Sequence, residues 1–249
     1  VKAVEAVKNA DKWWPRFFVH AINNTADTEV LKGLYLARAE RVEQATRKLY
    51  LDYLVRIGSY VDAYFIWLNG MPQDDLSLLG NVFDGSFESV PTNEGFGWRV
   101  ANDNGLMTTF ESVYGQVGNK ALHVTFLDGI HRRVLVNQYL MLDAGNYRFS
   151  GKSRLESLSA GKGIFWSIQC LDVKHNQQVL KTDHFTGSDV WQNFEIDFTL
   201  PAENCPIQQL RLEADGSVND NYADYSGSAW FDALEILKLE LPPTLENTQ

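Results

Sequence analysis

The sequence predicts an α+β fold class, with an N-terminal helical unit over residues 1–75 followed by an antiparallel β-sandwich over 76–249. Three observations predict it. The formal charge of −10, from 22 Lys plus Arg against 32 Asp plus Glu, is unevenly placed. Residues 1–80 hold 10 of each sign, so the whole acidic excess lies in 81–249. Glycine divides the same way: Gly33, Gly58, Gly70 and Gly80 are the four of the first 80 residues, and 14 follow. The apolar period also changes, from spacings of three and four to alternation. The joint is expected near Met71-Pro72-Gln73-Asp74-Asp75.

In the first unit, Pro15 after Trp13-Trp14 suits a helix start, with Arg16 to Asn23 following it. From Asp27 to Leu68 there is no proline, and Ala, Leu, Arg, Glu and Tyr are frequent, as helix interiors require. Ala37, Val42, Ala45, Leu49, Leu51 and Leu54 recur at helical spacing. Asp52 to Phe65 resembles the middle of a tetratricopeptide repeat, in which a helix ends at glycine and a small residue lets the next helix approach. Gly58, Tyr60 and Ala63 occupy those positions. No clear second copy stands at the period of about 34 residues. The unit reads as a spacer or a partner surface, without catalytic motifs.

From Asn81 onward, short alternating runs are separated by turns. Leu122, Val124 and Phe126 share one face, as do Ile164, Trp166, Ile168 and Cys170. Asp143-Ala144-Gly145 is a turn before Asn146-Tyr147-Arg148-Phe149. Leu210 and Leu212 point in while Gln209, Arg211 and Glu213 point out, and Trp230 to Ile236 supplies a last strand.

So acidic a chain is a poor partner for nucleic acid, whose affinity comes mainly from Lys and Arg on phosphates. No apolar run reaches the roughly 18 residues of a membrane span. Val1-Lys2-Ala3-Val4-Glu5 lacks the apolar core of a signal peptide, so the chain reads as an internal or mature segment. There is no G-x-S-x-G, no H-E-x-x-H and no acidic pair in a recognisable glycosidase motif, so no enzymatic activity is expected.

Six motifs in register carry a family resemblance. Asn81 to Glu88 reads N-x-x-x-G-S-F-E, and Gly97-Trp98 follows. Gly118 to Val124 reads G-x-x-A-L-x-V. Gln138, Leu140, Leu142 and then Ala144 to Ser150 follow the next pattern, with Ala144 where proline is usual. Val190 to Phe194 holds a tryptophan strand, and Trp230 to Leu234 closes the series with Ala233 in place of a second acid. Together these resemble carbohydrate-binding modules of the family-four-and-nine type, jelly-roll sandwiches of the galactose-binding-like kind. The pairing with repeat-like helices also resembles exported bacterial proteins associated with exopolysaccharide production.

The resemblance implies a non-catalytic, periplasmic or secreted protein that binds polysaccharide or oligosaccharide. It also implies a structural Ca2+ between the opening loop and the last strand. The Glu88 and Asp232 carboxylates would hold it, with main-chain oxygens near Gly85 and Lys120; alternatively, these groups accept hydrogen bonds from backbone or Lys. The acidic stretch Asp215 to Asp224 lacks the closing Glu of an EF-hand, Ser226 standing there, and reads as a solvated loop. For sugar binding the candidates are Trp98, Gln138, Arg154, Trp166, Gln169, Arg211 and Glu213, with Phe165, Tyr222 and Tyr225 as further platforms. Trp98 is either a rim platform or a hydrophobic plug, Trp166 either a platform or core, and Arg154 either a sugar donor or a partner of Glu156. Gln169 and Arg211 face away from apolar neighbours and are the stronger candidates. In an exported protein, Cys170 and Cys205 would form one disulfide tying two strands; two buried thiols are the alternative. The rival to sugar binding is an envelope interaction module, with protein partners on the helical unit and a vestigial sugar face.

Overall fold

The structure is a computed structural model that describes residues 13–24, 27–103, 105–113, 118–127, 134–171, 176–214 and 225–240. The chain divides into two compact units, Val1–Gly70 and Met71–Gln249.

The first unit contains α1 (Trp14–Asn24), α2 (Thr28–Leu36), α3 (Gln44–Arg56) and α4 (Tyr60–Asn69). Pro15 occupies the first turn of α1, where its missing N–H costs nothing. Asp27 caps α2 by accepting from the Glu29 and Val30 amides, both at 3.1 Å. The helical stretch is interrupted: α2 ends at Leu36, and the 3-10 turn Ala39–Arg41 intervenes before α3. The stripe expected through Ala45 is shifted, because Thr46, Tyr50, Leu51, Tyr53 and Leu54 are the buried residues of α3. Tyrosine bodies take the core side. Trp14 stacks on Phe18 at 4.7 Å, and the Tyr50 ring lies 5.2 Å from Phe18 and 4.7 Å from Tyr35. Gly58, at φ +81°, turns the chain between α3 and α4, and Ala63 is fully buried.

The second unit opens with the 3-10 turn Gln73–Leu78. Among the described residues ten strands follow: β1 (Arg99–Val100), β2 (Leu106–Ser112), β3 (Lys120–Phe126), β4 (Val134–Leu140), β5 (Gly145–Ser159), β6 (Ile164–Leu171), β7 (Asn176–Lys181), β8 (Gly187–Leu200), β9 (Gln208–Ala214) and β10 (Ser226–Lys238). They form two five-stranded antiparallel sheets, ordered β1-β4-β9-β6-β7 and β2-β3-β10-β5-β8. Only the β2–β3 and β6–β7 connections join successive strands of one sheet; the others cross between sheets, as in a jelly roll. Leu122, Val124, Phe149, Trp166, Ile168, Leu210, Leu212 and Phe231 fill the space between the sheets. The inward positions are those that alternation selects.

A bulge between Asp232 and Glu235 in β10 places Ala233 at φ +51°. Cys170 on β6 is bonded to Cys205 in the β8–β9 connection, with a Cα separation of 4.8 Å. No helix among the described residues is long and apolar enough to cross a membrane.

Candidate functional site

The segment 81–98 that precedes β1 is stitched to the sandwich by polar groups. Asn81 Nδ2 donates to the Ile236 carbonyl at 2.8 Å. The Gln138 side chain bonds both backbone groups of Phe83, at 2.9 Å each. Asp84 receives the Glu88 and Ser89 amides and the Ser89 hydroxyl at 2.6–2.9 Å. Burial pushes the Asp84 carboxyl above its ordinary range, against those hydrogen bonds, which favour its charge. Trp98 Nε1 donates to the Asp84 carbonyl at 2.9 Å. At Gly85 the backbone lies against β10: its carbonyl takes the Leu234 amide at 2.8 Å, and a Cβ there would come within 1.9 Å of the Leu234 oxygen.

This geometry corrects two sugar-binding assignments. Trp98 is 1% exposed and Gln138 1%, so neither can touch a ligand. Trp98 is the hydrophobic plug, and Gln138 is a backbone tie. Trp166 is corrected likewise, since it is fully buried at the centre of the core against Phe149 and Phe231.

The four proposed calcium ligands lie along the same seam. Glu88 Oε1 accepts the Asn119 and Lys120 amides at 2.9 and 3.0 Å, and Lys120 Nζ donates to the Glu88 carbonyl at 2.6 Å. Gly118, at φ +70°, packs so closely that a Cβ would meet Glu88 Oε1 at 2.1 Å. Asp232 is fully buried, with Oδ1 accepting the Ala233 amide at 2.6 Å. Two carboxylates and main-chain oxygens fit the hard-oxygen chemistry of calcium. Among the described residues no three Asp, Glu, His or Cys side chains converge, so an ion here would rely on backbone oxygens. The stretch 215–224, Tyr222 included, lies outside the described residues.

The outer face of the β1-β4-β9-β6-β7 sheet gathers the other candidates. Opposed residues of antiparallel strands share a face, so the register defines two polar rows. One runs Arg99, Asn137, Arg211, Ser167, Lys181 from β1 to β7. The next runs Tyr139, Gln209, Gln169, Gln178. Five strands at about 4.8 Å spacing make the first row about 19 Å long. The side chains are interlocked: Arg211 Nε donates to Gln209 Oε1 at 2.6 Å, and Gln209 Nε2 to Asn137 Oδ1 at 2.7 Å. Ser167 donates to Glu213, which faces outward yet is only 2% exposed. Glu213 therefore holds the lattice from beneath and cannot reach a ligand itself.

Among the described residues, two aromatic rings on this face have a cation against them. The Arg99 guanidinium stands 4.6 Å from the Tyr139 centroid and also donates to the Gly95 carbonyl. Lys181 Nζ stands 4.0 Å from the centroid of Phe165, and His184 packs edge-on at 5.3 Å. Phe165 is buried by this cover. Arg99, Asn137, Tyr139 and Lys181 were not singled out in the sequence. They are found by strand register, which sets Asn137, Tyr139 and Lys181 opposite Arg211, Gln209 and Ser167, and Arg99 opposite Asn137.

Arg154 is not part of this site. It lies on β5 in the opposite sheet, 4.7 Å from the Trp230 centroid and 3.7 Å from Glu156. There Trp230 stacks on His123 at 4.2 Å and donates its indole N–H to Glu111 at 3.0 Å. Glu111 also lies 2.9 Å from His123 Nδ1. Tyr225 packs on Phe126 at 5.7 Å. The structure thus brings Gln169, Arg211 and Glu213 together and places the other four of the seven candidates elsewhere.

No family model matches the chain, and no curated protein matches it in sequence. Solved structures similar to it include carbohydrate-binding modules. TmCBM61 in complex with β-1,4-galactotriose is 16% identical, over 65% of this chain and 100% of that one, with a TM-score of 0.40. The CBM22-1 xylan-binding domain of Paenibacillus barcinonensis Xyn10C is 15% identical over 64% and 94%, with a TM-score of 0.40. A CBM4 structure is 16% identical over 65% and 99%, with a TM-score of 0.44.

Proposed function

We propose that this chain is a non-catalytic, exported polysaccharide-binding protein whose ligand lies on the outer face of the β1-β4-β9-β6-β7 sheet. The observation that carries the reading is the pair of polar rows across that sheet, with Arg211, Gln209 and Asn137 hydrogen-bonded to one another at their centre. Planar amide and guanidinium groups at Asn137, Gln169, Gln209 and Arg211 suit the vicinal hydroxyls of a sugar chain. Asn137, Gln209 and Arg211 are already held by one another, so little of their side-chain freedom is lost on binding. The disulfide supports export, since such bonds persist in oxidising compartments. A role in exopolysaccharide production or export follows the sequence resemblance. The test is affinity electrophoresis against a polysaccharide panel, with R211A and Q169A expected to abolish retardation while keeping the fold.

A calcium ion at the seam belongs to the same proposal. Glu88 and Asp232 would hold it, with main-chain oxygens of Gly85 and Lys120, and the bound ion would tie the opening loop to the last strand. A rise in melting temperature with added calcium, reversed by chelator, is the expected result; no shift counts against the ion.

A second reading has one observation in its favour. The helical unit exposes Trp13, Phe17, Val61 and Phe65, each more than two-fifths accessible, which suits a protein partner. Size-exclusion and pull-down measurements on V61D/F65D against the parent test it.

A further inference from the structure

The outer face of the β2-β3-β10-β5-β8 sheet carries a tryptophan packed unlike the others. Six of the seven tryptophans lie against another ring. Trp191, on β8, has no ring partner among the described residues, and its indole N–H meets no acceptor among them and is not buried. Its side chain is partly exposed, and the adjoining Val190 is 72% exposed. A bulge sets them there. Gln192 opposes Ser153 and Asp189 opposes Leu155, so Val190 and Trp191 together stand opposite Arg154. Ser153 and Leu155 are buried on the core side, which leaves Arg154 between them on the outer side.

Arg154 is positioned by the ring of Trp230, whose centroid lies 4.7 Å from the guanidinium carbon. Trp230 is fixed in turn by stacking on His123 at 4.2 Å and by donating to Glu111 at 3.0 Å. Thr125 Oγ1 stands 2.8 Å from His123 Nε2 and steadies the imidazole. Glu156 lies 3.7 Å from Arg154, and the two side chains are 65% and 41% exposed. At that separation a hydroxyl group can bridge the carboxylate and the guanidinium. A flat ring beside paired planar polar groups is the combination that holds a sugar. The ring meets the apolar C–H face of a pyranose, and the polar pair meets its vicinal hydroxyls.

We propose that Val190, Trp191, Arg154 and Glu156 form a second glycan contact, which takes one pyranose unit of a polysaccharide. The ligand class rests on the polysaccharide reading, whereas the residues are independent of the first face. The outer faces of the two sheets point away from each other, so a short oligosaccharide cannot span both. The sandwich thereby bridges two polysaccharide strands. One ring and one ion pair bind more weakly than two polar rows, so the first face governs retardation in gels and the second adds avidity.

The test is nitrogen–proton correlation spectroscopy of the whole chain, with the Trp191 indole signal assigned by its loss in W191F. The probes are cellotriose, xylotriose, galactotriose and mannotriose, each raised to about 10 mM, where a millimolar site fills. At least one is expected to shift the Trp191 signal in the parent and equally in R211A. R154A should weaken the apparent affinity read from that shift about three- to tenfold, with urea melts near the parent's. The matching polysaccharide should turn turbid with the parent and stay clear with W191A; equal turbidity overturns the bridging. No shift at Trp191 with any of the four sugars overturns the second contact, and the first face still stands if a polysaccharide retards the chain. A shift lost in R211A but kept in R154A also overturns it, because Trp191 then reports only the first face. Gel retardation unchanged in R211A and Q169A, with the Trp191 shift intact, removes the first face and leaves the second contact standing.

Discussion

The Lys181 ammonium rests 4.0 Å from the centroid of the Phe165 ring, across the β6–β7 strand pair. Lys181 is exposed and Phe165 is 2% exposed, so the cation is the accessible partner and the ring the covered one. The contact stabilises by about 0.5–1 kcal/mol at such a site. Lys181→Ala is expected to raise the retention of neutral glycans by uncovering the Phe165 ring. Urea melts should place its stability within about 1 kcal/mol of the parent.

Trp98 is a structural residue, and its replacement separates architecture from binding. Its indole fills the core beside Phe87 and ties the Asp84 carbonyl. Trp98→Ala is expected to cost about 3–5 kcal/mol in chemical denaturation. Trp98→Phe keeps most of the volume and loses the hydrogen bond, so a smaller loss of about 1–3 kcal/mol is expected. Glycan retention per folded molecule should be unchanged in the Phe variant. A selective loss of retention would return Trp98 to the binding surface.

The Cys170–Cys205 bond closes a segment of 35 residues. Loop-closure entropy for a segment of that length corresponds to about 3–4 kcal/mol. Gln208 relies on the same corner: its side chain is fully buried, takes the Leu142 amide at 2.9 Å and donates to the Cys205 carbonyl at 2.9 Å. C170S/C205S is therefore expected to lower the urea midpoint clearly. Reductant should reproduce the loss in the parent and leave the double variant unmoved.

Glu111 supplies a pH dependence whose sign follows from its partners. Burial raises its carboxyl, but the hydrogen bonds from Trp230 and His123 outweigh it, and the net shift is downward from 4.5. A carboxylate with a lowered folded value contributes stability above the ordinary carboxylate range and loses it as pH falls through that lowered value. The stability difference between parent and E111Q should thus be largest near neutral pH and shrink in acid. The carboxylate is partly exposed, so salt should reduce the difference. A difference that grows below pH 4 would contradict this assignment.

The fold was largely legible because alternation and turn residues are local signals. Leu122, Val124 and Phe126 reach the core as their spacing predicts, and so do Ile164, Trp166 and Ile168. The helical unit was less legible at Ala37–Glu43, where no proline or glycine marks the break and a 3-10 turn intervenes. The site divides sharply. Gln169 and Arg211 could be placed on an outer face from period-two patterning alone. Which strands flank them depends on pairing between residues such as Asn137 and Arg211, 74 positions apart, and no local pattern encodes that. The family-like motifs misled in one respect. Trp98 and Gln138 belong to them, yet their job is to fasten the opening loop to the sandwich, and a motif cannot distinguish a fastening from a contact.

The most direct measurement of the central claim is retardation of the whole chain by a polysaccharide that the parent binds, parent against R211A and Q169A. Far-ultraviolet circular dichroism and urea melts on the same samples control for folding. Loss of retardation in both variants, with melts close to the parent's, is the predicted result. Retardation by the polymer that persists unchanged in both would contradict the placement of the ligand on this face.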